Sequence, residues 1–155
     1  GLKEWYTREG FIPGSLIHVS RGKKPGQVTI RADKQRNTKE WIRTVLVGAD
    51  GGIVFALLKQ MVTCTFDERM ALMIPDTAAV DKLWDSKSRQ PIEKTIHNLM
   101  HELAKLNPQG HIHAQEIYAA VNLIRRCPPS VVIDVLFNQP WSSHLGDLYF
   151  RIIED

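Results

Sequence analysis

Eight Lys and Arg side chains lie between Arg21 and Arg43, a segment in which the only carboxylates are Asp33 and Glu40. The cations are Arg21, Lys23, Lys24, Arg31, Lys34, Arg36, Lys39 and Arg43. Side chains of this type contact phosphates and supply most sequence-independent affinity for nucleic acids. Trp41 is the one aromatic residue of the segment, and such a ring can stack on a base. The segment has the composition of a phosphate-binding surface; a set of solvated loops is the alternative.

The positive charge is distributed unevenly along the chain. Residues 1–90 contain 15 Lys and Arg against 10 Asp and Glu, whereas residues 91–155 contain 5 against 7. Within the acidic second part, Arg125 and Arg126 end a predicted helix and His144 lies beside a Gly-Asp turn. These three are further candidates for phosphate contact. The alternative for the arginine pair is the negative end of a helix dipole.

Short strands must position the cationic segment. Alternating apolar residues predict strands over 15–21, 27–31 and 41–47, and the Gly-rich residues 48–52 predict a turn before a returning strand over 53–58. Residues 60–66 and 71–74 predict one or two more strands. Five or six short strands indicate a small barrel over residues 1–76, of the SH3-like or OB-like type, or a strongly curved sheet. We expect its loop cations to gather at one end.

Helices dominate the rest of the chain. Asp76 predicts the N-cap of a short helix, and residues 77–90 are read as that helix and a linker. Apolar residues spaced three and four apart predict helices over 92–106 and 114–126. Residues 131–137 are ambiguous, because Pro128-Pro129-Ser130 favours a helix and Val131-Val132-Ile133 favours a strand. We predict a third helix there, followed by strands over 141–145 and 148–153.

This order of elements resembles a winged helix-turn-helix. His111-Ile112-His113-Ala114-Gln115-Glu116-Ile117-Tyr118 looks like the entry to the second helix of that superfamily. Gly146-Asp147-Leu148-Tyr149-Phe150-Arg151-Ile152 is similar to the closing wing strand, where an aromatic residue returns to the core. The nearest resemblance is to the type seen in the RNA polymerase delta subunit and the HARE domains. It implies DNA or a transcription-type partner, because many winged helices place the third helix in the major groove.

The predicted third helix departs from that pattern. Its only charged residue is Asp134, whereas major-groove readers use side chains such as Arg, Asn or Gln to reach base edges. Ser130, Asn138 and Gln139 are the only nearby polar candidates. The helix therefore suits a buried position or a protein contact at least as well as DNA reading.

Other chemistries lack a recognisable motif. His97 and His101 share a helix face, but the H-E-x-x-H pattern is absent and we expect a solvated polar stripe. Cys64 and Cys127 lack zinc spacing, which favours reduced thiols in a cytoplasmic protein; a disulfide between them stays open. No apolar run approaches the roughly 18 residues that a membrane span needs. We therefore expect no enzyme, no metal, no cofactor and no membrane.

The sequence thus predicts an α+β protein with a barrel-like domain over 1–76, a short helix and linker over 77–90, and a winged-helix-like domain over 91–155. We expect a nucleic-acid-binding module, with DNA as the ligand, from a larger regulatory or DNA-processing protein. The winged-helix-like domain would add a protein partner. The alternative is a protein-interaction or assembly domain that uses the apolar third helix or an exposed strand edge.

Overall fold

Five helices and seven strands make up the part of the chain that the computed structural model describes, which is residues 1–11, 15–33, 38–62 and 65–153. The helices are α1 (Leu2–Glu9), α2 (Thr77–Lys87), α3 (Ile92–Ala104), α4 (Ala114–Val121) and α5 (Pro129–Asn138). The strands are β1 (Leu16–Arg21), β2 (Val28–Asp33), β3 (Thr38–Val47), β4 (Ile53–Val62), β5 (Ile112–His113), β6 (Ser142–Gly146) and β7 (Tyr149–Ile152). The prediction of an α+β protein is confirmed.

The chain packs into two compact units. Unit 1 contains Gly1–Trp41 and Lys59–Thr65, and unit 2 contains Ile42–Leu58 and Phe66–Asp155. The long strands β3 and β4 therefore each contribute residues to both units. The division concerns packing alone, and the domains predicted over 1–76, 77–90 and 91–155 stay a prediction.

The closed barrel predicted for the N-terminal region is not seen in the described residues. β1 pairs only with β2 there, and β3 pairs only with β4, which gives two separate two-stranded sheets. β4 runs unbroken from Ile53 to Val62, where the sequence predicted two strands. Residues 71–74 add one bridge, between Met73 and Thr44, in place of a further strand. Paired strands of this kind offer no continuous ladder to close.

One hydrophobic core holds unit 2 together. It combines Val45 and Phe55 from β3 and β4 with Leu83 from α2 and with the inner faces of α3, α4 and α5. The predicted cap of α2 is confirmed, since the Asp76 side chain accepts a hydrogen bond of 2.9 Å from the amide of Ala79. The short helix predicted before the linker packs into the core through Val80 and Leu83.

The C-terminal elements follow the predicted order of helices and strands. β5, β7 and β6 form an antiparallel sheet in that spatial order, and the Phe150 side chain on β7 is fully buried. The ambiguous residues 131–137 are helical, and Pro129 occupies the first turn of α5, where its missing amide hydrogen costs nothing. α4 ends at Val121, earlier than predicted, because the amides of Leu123 and Ile124 bond to carbonyls three residues back.

Two histidines of α3 meet the start of the terminal hairpin. The His97 ring lies 4.6 Å from that of His101 and 4.7 Å from that of Trp141, centroid to centroid. Both histidines are half-buried rather than fully solvated. Burial, and to a lesser degree the charge of His101, lowers the pKa of His97 below the ordinary value of 6.5. The folded state therefore favours the neutral imidazole at this contact.

This contact predicts a pH dependence of stability. The pKa of His97 is lower in the folded chain than in the unfolded chain. The contribution of the neutral His97 ring to the free energy of unfolding is therefore fully present above pH 6.5, and it is lost as the pH falls through the folded-state pKa. We expect the melting temperature of H97Q to fall less steeply than that of the wild type between pH 7.5 and pH 5. H111Q is the control, and it should keep the wild-type slope. Parallel slopes for H97Q and the wild type would contradict the assignment.

Candidate nucleic-acid interface

The candidate interface begins with the hairpin of β1 and β2 in unit 1. The two strands pair from Leu16 opposite Asp33 to Arg21 opposite Val28. Opposite residues of an antiparallel pair share a face. Arg21 therefore lies on one face with two valines that are largely exposed, Val19 and Val28. Arg31 lies on the other face, opposite His18.

The hairpin ends in a loop that bonds to itself. The amide of Gly22 donates to the carbonyl of Gln27 over 2.7 Å, and the amide of Gln27 donates to the carbonyl of Lys24 over 3.0 Å. A Cβ at Gly22 would lie 2.6 Å from Gln27 Cγ, so a larger residue there would force the Gln27 side chain to shift. The closed loop leaves the side chains of Lys23 and Lys24 exposed.

Three cations share this end of the hairpin. Arg21, Lys23 and Lys24, here called the tip cluster, are all exposed, and none makes an ion pair within the described residues. The carboxylate of the hairpin, Asp33, lies at the opposite end, where it is 3.8 Å from His18 Nε2. The tip cluster is thus an uncompensated positive site at the end of a two-stranded ribbon.

Two of the remaining predicted cations of unit 1, Arg31 and Lys39, lie outside the tip cluster. β2 carries the chain about 17 Å away from the loop before it ends at Asp33. Lys34 and Arg36 follow that end but lie outside the described residues. Lys39 is exposed on β3, and Arg31 is exposed within β2. Among the described residues, the predicted loop cations Lys23 and Lys24 lie at the tip of the hairpin, whereas Lys39 lies on β3.

Trp41 offers a second feature of unit 1. Its side chain is 62% exposed, and Lys59 Nζ lies 5.8 Å from the ring centroid. A cation at that distance is attracted to the aromatic face. Lys39, two residues earlier on the same strand, is on the same side of β3. Trp41 is therefore an exposed aromatic ring beside at least one cation, Lys59.

Arg43 is not part of this surface. Its side chain is 8% exposed and lies inside unit 2, where one guanidinium nitrogen donates to Glu116 Oε1 and another to the carbonyl of Arg69 over 3.2 Å. The other carboxylate oxygen of Glu116 accepts a hydrogen bond from the amide of His113, which is the N-cap of α4. A guanidinium held in this way is an internal cation, so a phosphate has no access to it.

The other candidates lie in unit 2 as separate exposed groups. Arg125 donates to the carbonyl of Gln90 over 3.2 Å, and the guanidinium of Arg126 lies 5.7 Å from the Trp84 ring centroid. The His144 ring packs against Phe137, at 4.9 Å. The arginine pair retains exposed charge without a carboxylate partner in the described part of the chain.

The sequence did not single out two lysines near that arginine pair. Lys87 and Lys94 line a cleft of about 310 Å³ together with Gln90 and Asn98, and Lys87 Nζ donates to the carbonyl of Gly51 over 2.6 Å. The two lysines come from the end of α2 and the start of α3, and no local pattern relates them. The only signal in the sequence is the number of Lys and Arg residues around the junction of α2 and α3.

Possible metal ligands and thiols are the last group of candidate side chains in the described residues. Within them, no three His, Cys, Asp or Glu side chains are arranged to hold a metal ion. Cys127 is a free, half-buried thiol whose pKa is raised by burial. Cys64 lies outside the described residues. In the same part of the chain, no helix has the length and apolar character needed to cross a bilayer.

Comparison with known proteins adds no relative. The chain matches no known protein family, no curated protein and no solved structure. Any functional assignment therefore rests on the residues and their geometry.

The internal position of Arg43 predicts a large effect of its partner on stability. E116Q keeps an acceptor for the His113 amide but leaves the buried guanidinium without a counter-charge, so we expect the free energy of unfolding to fall by about 3 kcal/mol. The double variant R43M/E116Q removes both charges and should lose less than E116Q alone. Urea denaturation at pH 7 measures all three proteins.

The matched control is K105A, which removes the exposed partner of Glu102. An exposed pair of this kind contributes about 0.5 kcal/mol or less. An E116Q protein as stable as K105A, or a double variant less stable than E116Q, would contradict the role of the buried pair.

Proposed function

We propose that the chain is a nucleic-acid-binding module in which the β1–β2 hairpin supplies the phosphate contacts, with DNA as the expected ligand. The observation that carries the proposal is the tip cluster: Arg21, Lys23 and Lys24 are exposed, adjacent and without ion pairs in the described residues. When such cations neutralise DNA phosphates, the salt ions bound to the DNA are released, which favours binding. No ion pair of the tip cluster within the described residues has to break first.

The shape of the hairpin supports the same proposal. The major groove of B-DNA is wide enough for a two-stranded β-ribbon. Val19 and Val28 lie on the face that also carries Arg21, and they are 65% and 58% exposed. Apolar side chains at such positions can meet the methyl group of thymine while neighbouring cations meet phosphates. This arrangement gives a reason for exposed valines on a cationic ribbon.

For residues 91–155 we propose the winged-helix assignment. Three observations support it: the element order from α3 to β7, the sheet order β5-β7-β6, and the buried Phe150 on the closing strand. The exposed residues of α5 include Asp134 and no Lys or Arg. We therefore assign phosphate binding to the hairpin and leave α5 without a role in DNA reading. A larger regulatory or DNA-processing protein would use such a module to hold DNA.

The proposal predicts a salt-dependent affinity that the tip cluster controls. The wild type should bind a 20-base-pair duplex, and the plot of log affinity against log salt between ~50 and ~200 mM should have a steep negative slope. R21A/K23A/K24A should bind at least about tenfold more weakly at ~50 mM salt and should have a slope shallower by up to about 3. Fluorescence anisotropy with labelled oligonucleotides measures both quantities.

Two further variants separate the contributions. R125A/R126A removes two exposed cations of unit 2 and should change the affinity much less than the hairpin variant. W41A should weaken binding to a single-stranded oligonucleotide more than to the duplex, if the exposed ring stacks on bases. Equal melting temperatures confirm that each variant is folded. The proposal fails if the wild type binds neither oligonucleotide at ~50 mM salt, or if the hairpin variant binds as the wild type does.

A further inference from the structure

An apolar groove of about 380 Å³ opens on unit 2 between α4, α5 and the turn that joins β6 to β7. α4 contributes the half-buried Tyr118 to its lining, and α5 contributes Pro129, Ile133 and the buried Val132, which is 1% exposed. Met70 and Leu148 stand at its rim and are 39% and 43% exposed. The volume is within the range of natural ligand sites, roughly 300–1,000 Å³.

A hydrogen-bonded turn fixes Met70 at the rim. Asp67 Oδ1 accepts the amide of Arg69 over 2.9 Å and that of Met70 over 3.3 Å, and the carbonyl of Asp67 accepts the amide of Ala71 over 2.8 Å. The exposed thioether is therefore presented by an ordered backbone. Met70 and Leu148 extend the apolar lining of the groove to the protein surface, and a contiguous exposed apolar patch is typical of an interaction site.

Leu148 is held at the rim in an unfavourable conformation. Gly146, Asp147 and Leu148 all have positive φ, with Leu148 at 60°. A leucine rarely adopts this left-handed region, where glycine would be at ease. The carbonyl of Leu148 accepts the amide of Ala114 over 2.9 Å, which ties the strained residue to the start of α4. Strain of this type is found where a side chain must be displayed for a function.

Charge indicates what the groove accepts. The four segments that border it, 67–70, 114–121, 129–138 and 146–149, carry five carboxylates and one cation. The carboxylates are those of Asp67, Glu68, Glu116, Asp134 and Asp147. The single cation, Arg69, bonds to the Tyr149 hydroxyl over 3.1 Å, and Glu116 pairs with Arg43. The surroundings are acidic, which disfavours nucleic acid and favours a basic partner.

We propose that this groove binds an amphipathic helix of a partner protein, with apolar residues spaced three and four apart and Lys or Arg beside them. The groove receives two or three side chains of such a helix, as in other helix-in-groove complexes. The flanking cations of the helix meet Asp134, Asp147 and Glu68. This surface is separate in chemistry from the cationic hairpin, so the proposal does not rest on the proposed nucleic-acid binding.

Selection from a display library of random 16-residue peptides tests the proposal. The full chain is the bait, and phage that also bind M70S/L148G are removed first. We expect the enriched peptides to combine apolar residues at helical spacing with a net positive charge. The dissociation constant of a synthetic peptide from this pool is then measured by fluorescence anisotropy against the wild type and single variants.

L148G is the decisive variant, because glycine relieves the positive φ while it removes the apolar side chain. It should melt at or above the wild-type temperature and yet bind the peptide about tenfold more weakly. L145S changes a leucine of similar exposure on β6 that does not line the groove, and it should bind as the wild type does.

Several outcomes would overturn the proposal. They are the absence of enriched peptides, enrichment of acidic ones, and an affinity that L148G leaves unchanged. The competing occupant of the groove is a second copy of this chain. Concentration-dependent dimerisation that L148G abolishes, measured by analytical ultracentrifugation, would therefore replace the partner helix with a copy of this chain.

Discussion

The buried ion pair of Arg43 and Glu116 is the contact on which the second unit depends most. Arg43 comes from β3, Glu116 from the first turn of α4, and the guanidinium also holds the carbonyl of Arg69. One side chain therefore ties a strand, a helix start and the turn that presents Met70. Since a buried cation requires its counter-charge, these three parts are held to a single arrangement. The same internal charge therefore helps to hold the turn that places Met70 at the rim of the apolar groove.

The two units display surfaces of opposite character. Unit 1 exposes the tip cluster with no ion pair in the described residues, and the groove of unit 2 is apolar with acidic borders. Cationic and acidic surfaces in one chain select different partners, because each repels what the other attracts. A module that holds a nucleic acid with one surface and a basic helix with the other would join two components of a larger assembly.

Local patterns predicted much of the helical structure. The apolar spacing of α3, the Asp76 cap of α2 and the helix at residues 131–137 all depend on neighbours within a few positions, and each is present. The predicted barrel is not seen in the described residues, because strand pairing is non-local: periodicity indicates a strand but not its partner. No local pattern predicts the apolar groove, since Met70 and Leu148, which both line it, are far apart in sequence.

The sequence by itself determined where charge is concentrated and which segments become helix or strand, since both follow from residue type and short spacing. Tertiary structure alone decided which cations reach solvent. β3 places Lys39, Trp41 and Arg43 at every second position, so all three lie on one face. Lys39 and Trp41 are exposed, yet Arg43 is buried against Glu116. Alternation sets the direction of a side chain, whereas the residue that packs on it comes from 73 positions away.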